Sequence, residues 1–305
     1  MTFYAFIGAL EQGLVYGLLT IGVYLTFRVL DFPDLTVDGS LPLGAAVSAA
    51  CITHGLNPWL SLMPAMCAGF LAGMLTGILT TQLKILHLLA SILTMTALYS
   101  INIRILGSRP NIPLINSPTV FDPVRSYVSS LGWNPWISSS ILFFGIAIVV
   151  VMMVIWVLRT EFGQALLATG DNPALIRSLG VNTSLMIVLG VGMSNSIVAL
   201  CGALVAQNQG AAEVGMGTGS IIAGLASIVV GETLFNSRKV AIRVVSAVLG
   251  SIAYRLAIAL ALSLNFFKPS DMNLITSTIV VLALALPIIK SHFKKRGNSL
   301  NAPSL

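Results

Sequence analysis

The sequence predicts an all-α membrane protein, a polytopic bundle of transmembrane helices. Hydrophobic residues fill 56% of the 305 positions and charged residues only 9%, against about 25% charged residues in a soluble domain. Apolar runs of roughly 20 residues, the length that crosses the bilayer core, recur along the chain. Lys and Arg concentrate between alternate runs. Because so few polar residues cannot cover a soluble globule, we expect a single transmembrane domain over residues 1–305.

The apolar runs predict about nine transmembrane segments, of which two are short. The segments lie near residues 4–30, 41–54, 58–82, 86–106, 137–158, 183–207, 211–231, 240–264 and 273–289. With the N-terminus outside, only Arg104, Arg109, Arg125 and Lys268 lie at the outer side, and Arg255 lies within a span. All the other Lys and Arg residues then lie at the cytoplasmic side, which is the positive-inside bias. This asymmetry predicts a cytoplasmic C-terminus, and it explains the net charge without nucleic-acid binding.

Two polar regions flank the predicted spans. The extracytoplasmic loop 107–136 contains five prolines, Pro110, Pro113, Pro118, Pro123 and Pro135, which predict a stiff, irregular backbone. The tail 290–305 carries Lys294, Lys295 and Arg296 and is typical of a basic cytoplasmic anchor.

The stretch 159–180 interrupts the apolar pattern with helix signals rather than loop signals. Thr160 can cap a short helix that ends near Gly170. Asn172 can cap a second helix, with Pro173 at its first position and Gly180 just past its end. Two capped helices on the cytoplasmic surface indicate a docking element.

Two short segments share a pattern of small residues. Gly39-Ser40 followed by Gly44 matches Gly219-Ser220 followed by Gly224 at a shift of 180 positions. Short, glycine-broken segments at matching places in two inverted halves indicate the transport pathway of a transporter. A half-helix starting at Ser40 or Ser220 would point unpaired N–H groups into a central cavity. The alternative is that these glycines only allow close helix packing.

Polar side chains inside spans are the candidate pathway and gate residues. Glu11 and Arg255 are ionisable groups within spans, and three alternatives stay open for them: a structural pair, snorkelling of one side chain to the interface, or an outer gate. The uncharged candidates are Ser91, Thr94, Thr96, Asn102, Asn195 and Gln207. A lining of amides and hydroxyls suits a neutral or zwitterionic solute, although each group is also a candidate for an interhelical hydrogen bond. The histidines and cysteines are scattered, so neither a metal site nor an enzymatic centre is predicted, and the absence of a P-loop sequence assigns any ATP chemistry to another chain.

Several motifs together resemble one known family. The stretch E-F-G-Q-A-L-L-A-T-G-D-N-P-A-L-I-R-S-L-G resembles the cytoplasmic loop of bacterial ABC-importer permeases of the branched-chain amino acid and ribose type. The matching positions are Phe162, Gly163, Ala165, Ala168, Gly170, Asn172 and Gly180. Residues 29–40, 90–98 and 193–204 are similar to further family segments in the same order, so the resemblance covers most of the chain.

The resemblance implies a coupling function for residues 159–180. It assigns contact with a cytosolic ABC ATPase to Phe162, Gly163, Gln164, Gly170, Asn172, Pro173, Arg177 and Gly180. It further implies a homodimer of permeases in the bacterial inner membrane, an extracytoplasmic substrate-binding protein, and ATP and Mg²⁺ bound only by the ATPase. Gln164 departs from the family, which has Arg at this position, and so does the stretch after residue 230.

These observations predict the permease subunit of an ATP-driven importer for a small polar solute, with an amino acid as the first choice. A secondary transporter that works without ATP is the alternative, but the spans lack the Asp, Glu and His relay that proton coupling usually requires. A structural scaffold is a third reading, for which glycine-broken segments would serve no purpose.

Overall fold

Helices form nearly all of the computed structural model, which describes residues 3–115, 117–130, 132, 137–235, 237, 239–263, 277, 278 and 281. The helices in the first half are α1 Phe3–Tyr24, α2 Val37–Thr53, α3 Pro58–Thr81, α4 His87–Ile105, α5 Asp122–Ser130 and α6 Ile137–Arg159. Those in the second half are α7 Glu161–Asp171, α8 Pro173–Ser178, α9 Thr183–Gln209, α10 Ser220–Leu234 and α11 Val240–Ser263. A π-helical turn, Leu25–Val29, extends α1 directly.

Seven helical segments in the described part of the chain are long and apolar enough to cross a membrane. They contain α1, α3, α4, α6, α9, α10 and α11, and α2 is a shorter apolar helix. Eight of the nine predicted segments therefore contain a helix. The ninth, 273–289, lies almost wholly outside the described residues, as does the tail 290–305, so the count of nine and the orientation of the termini stay predictions.

Helix α9 forms the centre of the bundle and packs most closely on α2 and α3. Small residues allow this approach. A Cβ added at Gly44 would overlap the backbone of Ala199, and one at Gly69 would overlap the carbonyl of Asn195. A Cβ at Gly202 would likewise overlap the carbonyl of Leu41. The packing interpretation of the glycines therefore holds for Gly44, whereas Gly219 has a different function, described below.

The loop between α4 and α6 is more ordered than its prolines suggested. Strand β1, Asn111–Pro113, pairs antiparallel with β2, Ala211–Glu213, so the fold is not purely helical. Helix α5 follows, with the Asp122 carboxylate accepting a hydrogen bond from the Thr119 N–H. Proline fixes φ without preventing an edge strand or the first turn of a helix, and both occur here. The prediction of an irregular backbone was therefore wrong for β1 and for α5.

Two contacts fix which ends of the helices lie together. The β1–β2 pair joins the loop after α4 to the segment after α9, and both are predicted to be outside. At the opposite end, Arg28 forms an ion pair with Glu232, and both are predicted to be cytoplasmic. The relative directions of α1, α4, α9 and α10 thus agree with the charge asymmetry.

Candidate translocation and coupling site

The predicted span 211–231 is broken rather than continuous. After β2 the chain forms one 3-10 turn, Val214–Gly217, and then passes through Gly219 at φ +77° before α10 begins at Ser220. The left-handed backbone at Gly219 costs a glycine little and other residues more. The prediction of a half-helix that starts at Ser220 is confirmed.

The N-terminus of α10 is capped by a side chain from α2. The Asp38 carboxylate accepts hydrogen bonds from the N–H groups of Gly219 at 3.1 Å and Ile221 at 2.9 Å. It also accepts one from the Ser220 hydroxyl at 2.8 Å. The expectation of unpaired N–H groups at Ser220 was therefore wrong, because a carboxylate of the same chain already occupies the positive end of the helix.

Helix α2 does not repeat this arrangement at the matching residues. It begins at Val37, after Thr36, so Gly39 and Ser40 lie within its first turn. Gly219, by contrast, precedes its helix, so the residues that match at a shift of 180 positions are not structurally equivalent. Local capping explains the difference: the Asp34 carboxylate accepts a hydrogen bond from the Thr36 N–H at 2.9 Å, which places the turn upstream of Gly39.

Asp34 connects the segment between α1 and α2 to the middle of α9. Its side chain is fully buried and accepts a hydrogen bond from the Asn195 amide at 2.7 Å. Thr36 beside it shares a hydrogen bond of 2.8 Å with Thr76 on α3. A buried carboxylate is costly unless hydrogen bonds satisfy it, so this network fixes α2, α3 and α9 together. Asn195, a predicted pathway residue, is a structural partner of Asp34.

Sequence reasoning missed both Asp34 and Asp38. The sequence does contain a signal for them, because both carboxylates occur in D-L-T-V-D-G beside apolar runs. Ionisable groups inside or beside a span are costly and are therefore candidates for a functional or structural interaction.

A cavity of about 260 Å³ lies between α2, α4 and the broken segment. Gly39, Thr96 and Asn102 line it, together with Asp38 and Thr218. The Asn102 amide donates a hydrogen bond to the Gly39 carbonyl at 3.2 Å. The Asn102 carbonyl oxygen has no hydrogen-bond partner within the described chain, although it is buried. Three of the predicted pathway residues therefore meet at one cavity.

Three other predicted pathway residues, Ser91, Thr94 and Ser40, do not line this cavity. The hydroxyls of Ser91 and Thr94 donate to carbonyls of their own helix, at Leu88 and Ala90. The hydroxyl oxygen of Ser40 is buried without a hydrogen-bond partner among the residues described. It is not among the cavity-lining residues either.

Gln207 holds the outer loop onto the bundle. Its carbonyl oxygen accepts a hydrogen bond from the Val120 N–H at 3.0 Å, and its amide donates to Ser48 at 3.0 Å and to Ser61 at 3.2 Å. The side chain is 2% exposed, and both its carbonyl oxygen and its amide nitrogen make these hydrogen bonds. A structural function explains Gln207 fully.

Glu11 and Arg255 do not pair. The Glu11 carboxylate accepts a hydrogen bond from the Asn208 amide. The Arg255 guanidinium instead lies over the Tyr16 ring, 3.9 Å from its centroid. Of the alternatives for these two residues, the structural pair is therefore wrong, because each group contacts a different partner on a neighbouring element.

The stretch 159–180 forms the two capped helices that the sequence predicted. The Thr160 hydroxyl accepts a hydrogen bond from the Gly163 N–H at 3.3 Å, and the Asn172 side chain accepts one from the Leu175 N–H at 3.0 Å. Gly180 follows α8 at φ +88°. The Gln164 amide donates to the Leu158 carbonyl at 2.7 Å and so closes the end of α6.

The coupling candidates divide between an inner and an outer face. Gly163 is buried and Phe162 half-buried against the bundle, and a Cβ added at Gly170 would overlap the Val29 carbonyl of the π-helical turn. Asn172, Pro173, Arg177 and Gly180 are exposed. The large apolar side chains that lie exposed beside them are Leu175 and Leu179. The outer face is thus available to a partner, and the inner face packs on the π-helical turn that follows α1.

The comparison with known families agrees with this geometry. Residues 5–286 match the family described as branched-chain amino acid transport system / permease component. The chain belongs to this family. It is therefore an ABC-type permease subunit of the importer class and a multi-pass protein of the bacterial inner membrane.

Curated relatives include permeases named for different substrates. The chain is 35% identical to a tyrosine transport system permease protein of Clostridioides difficile over 294 residues, 96% of this chain and 95% of that protein. It is 26% identical to the galactofuranose transporter permease protein of Escherichia coli over 287 residues, 92% of this permease and 78% of that protein. The family alone therefore does not fix the solute.

Solved structures show the same fold at low identity. PsaBC from Streptococcus pneumoniae in complex with Fab matches with a TM-score of 0.52 and 16% identity, over 93% of this permease and 91% of that chain. An inward-facing conformation of a putative metal-chelate type ABC transporter matches with a TM-score of 0.50 and 16% identity, over 94% of this permease and 85% of that chain.

Proposed function

We propose that this permease moves a small polar solute, with an amino acid as the first choice, by ATP-driven alternating access. The observation that carries the proposal is the 260 Å³ cavity beside the broken segment, at the point where Asp38 joins α2 to α10. Non-helical backbone at membrane depth is tolerated where protein or a water-filled cavity satisfies it. The 35% identity to a tyrosine permease favours amino acids over sugars.

The exposed apolar face of α8 supports a cytosolic ATPase as partner. ATP and Mg²⁺ bind that partner, since this sequence has no P-loop. Closure of the ATPase moves α7, whose Gly170 packs on the π-helical turn at Val29. The turn leads into the segment that carries Asp34 and Asp38, and these residues hold α9 and α10. The physical contacts thus form a continuous route from the docking helices to the cavity.

A second copy of the permease completes the pathway. Helix α4 exposes polar groups, namely Thr96, Tyr99 and Ser100, beside apolar side chains such as Leu93, whereas α6 exposes apolar side chains such as Ile148, Met152 and Trp156. An apolar face suits lipid, and a face with hydroxyls suits protein or water. An extracytoplasmic substrate-binding protein delivers the solute to the outer loops.

The test is uptake into proteoliposomes that contain the permease, its ATPase and its binding protein. We expect accumulation of a radiolabelled L-amino acid that requires ATP on the ATPase side and survives a protonophore. Uptake that collapses with the protonophore and ignores ATP would instead establish a secondary transporter. Accumulation of neutral sugars in place of amino acids would refute the assigned solute class.

A further inference from the structure

A second cavity, of about 360 Å³, lies on the other side of the broken segment, among α1, α10 and α11. Tyr16, Ser220 and Arg255 line it, and Thr218 lines both cavities. Its volume is within the range of small-molecule sites, about 300–1,000 Å³. Thr218 in the broken segment thus borders both cavities.

Arg255 lies within the apolar helix α11 and not at its ends. It lies fifteen residues after Val240 and eight before Ser263 in α11, or about 22 Å and about 12 Å along the helix. A charged side chain at this depth is costly and normally faces a cavity or a counter-ion.

No carboxylate of a described residue lies within 4.0 Å of the Arg255 guanidinium. The guanidinium contacts the face of the Tyr16 ring, and an aromatic ring attracts a cation more weakly than a carboxylate does. Glu11 is bound to Asn208, and Asp38 is bound to the start of α10. Among the described residues, the cavity lining therefore includes the cation Arg255, and Glu11 and Asp38 are bound to other groups.

We propose that this second cavity binds the carboxylate of the transported solute, with Arg255 as its counter-ion. The planar guanidinium matches a carboxylate with two parallel hydrogen bonds, and Tyr16 holds one face of it. Asp38 already occupies the helix N-terminus, so Arg255 is the positive charge that the described lining residues offer. The inference rests on the proposed transport function and narrows it to solutes that carry a carboxylate.

The test measures binding to the purified permease in detergent by equilibrium dialysis. The probes are radiolabelled L-tyrosine, L-leucine and L-alanine, each compared with its own amide, which lacks the carboxylate. The variants are Arg255→Gln, which removes the charge, and Arg255→Lys, which keeps it. Arg104→Gln is the control, since Arg104 is exposed near the end of α4.

We expect at least one acid to bind the wild type about tenfold or more tightly than its amide. Arg255→Gln abolishes this preference without changing amide binding, Arg255→Lys keeps part of it, and Arg104→Gln behaves as the wild type. Equal binding of acid and amide, no binding of any acid, or an unchanged preference in Arg255→Gln would overturn the proposal.

Two further experiments distinguish failure of the carboxylate site from failure of the transport function, and a solute carboxylate from a lipid phosphate. Amino-acid uptake that needs ATP but does not change in Arg255→Gln leaves the transport function standing and overturns only the carboxylate site. The second arm compares nanodiscs of phosphatidylcholine with nanodiscs of phosphatidylglycerol. If Arg255→Gln changes thermal stability only in phosphatidylglycerol, and acid binding does not depend on residue 255, the counter-ion is a lipid phosphate and the solute proposal is refuted.

Discussion

The Asp38 carboxylate on α2 accepts a hydrogen bond of 2.8 Å from the Ser220 hydroxyl at the start of α10. Two backbone N–H groups of the same turn, at Gly219 and Ile221, donate to it as well. One side chain thereby joins a short helix to a half-helix at the edge of both cavities. A change at Asp38 therefore acts on the fold and on the pathway together.

Replacing Asp38 should destabilise α10. Asp38→Ala removes the acceptor for three donors, and we expect a loss of about 1–2 kcal/mol, the usual effect of a lost cap, together with slower uptake. Asp38→Asn retains one acceptor oxygen, so its stability and its uptake rate should lie between those of Asp38→Ala and the wild type. Thermal unfolding in detergent and proteoliposome uptake measure the two effects. Asp122→Ala, which removes the acceptor for the Thr119 N–H on the exposed outer loop, should leave uptake unchanged.

Removing the Asn195 amide should leave Asp34 under-satisfied. Asn195→Ala deletes a donor to a fully buried carboxylate, and we expect a loss of about 1–3 kcal/mol in unfolding free energy. The double variant Asp34→Asn, Asn195→Ala should be less destabilised than the sum of the single variants. Strict additivity in such a double-mutant cycle would show that the two side chains do not interact.

Adding a side chain at Gly170 should disturb the contact between α7 and the π-helical turn. A side chain there overlaps the Val29 carbonyl, so Gly170→Val should cost about 1–3 kcal/mol and lower the uptake per ATP hydrolysed. Gly145→Ala on α6 is the matched control, because its added Cβ meets no atom within 4 Å. A wild-type ratio of uptake to hydrolysis in folded Gly170→Val would contradict the proposed route.

The exposed face of α8, together with Leu179 that follows it, should hold the ATPase. Leu179 is 70% exposed, and Leu179→Gln should weaken association about tenfold without unfolding the permease, because apolar anchors dominate interface energies. Copurification and surface plasmon resonance with the ATPase give the affinity. Ile115→Gln, an equally exposed apolar position on the outer loop, should bind as the wild type, and equal affinity of both variants would refute the docking face.

Labelling of single cysteines tests the predicted orientation. In a background with Cys51, Cys67 and Cys201 changed to Ala, we expect Ser129→Cys on α5 to react with an impermeant maleimide in intact cells. Ser178→Cys on α8 should react only after permeabilisation, since both sites are exposed on opposite sides of the predicted topology. The reverse pattern would place the N-terminus inside.

Local signals in the sequence determined much of this permease. Low charge and long apolar runs set the membrane class, and Thr160, Asn172 and Gly180 marked the two cytoplasmic helices, because caps act within a few residues. Gly219-Ser220 likewise marked the start of α10. Each of these features can be read from a short stretch of sequence, without knowledge of which segments pack together.

Contacts between distant parts of the chain were decided only by the tertiary structure. The acceptor for the α10 cap came from α2, the partner of Asn195 came from residue 34, and Arg255 met Tyr16 rather than Glu11. Spacing along the chain does not encode these pairs. Each pair forms only if two segments pack with the two side chains at the same height in the bundle and turned toward each other. The sequence thus determined the segments and their caps, and packing decided which polar groups satisfy one another and which line a cavity.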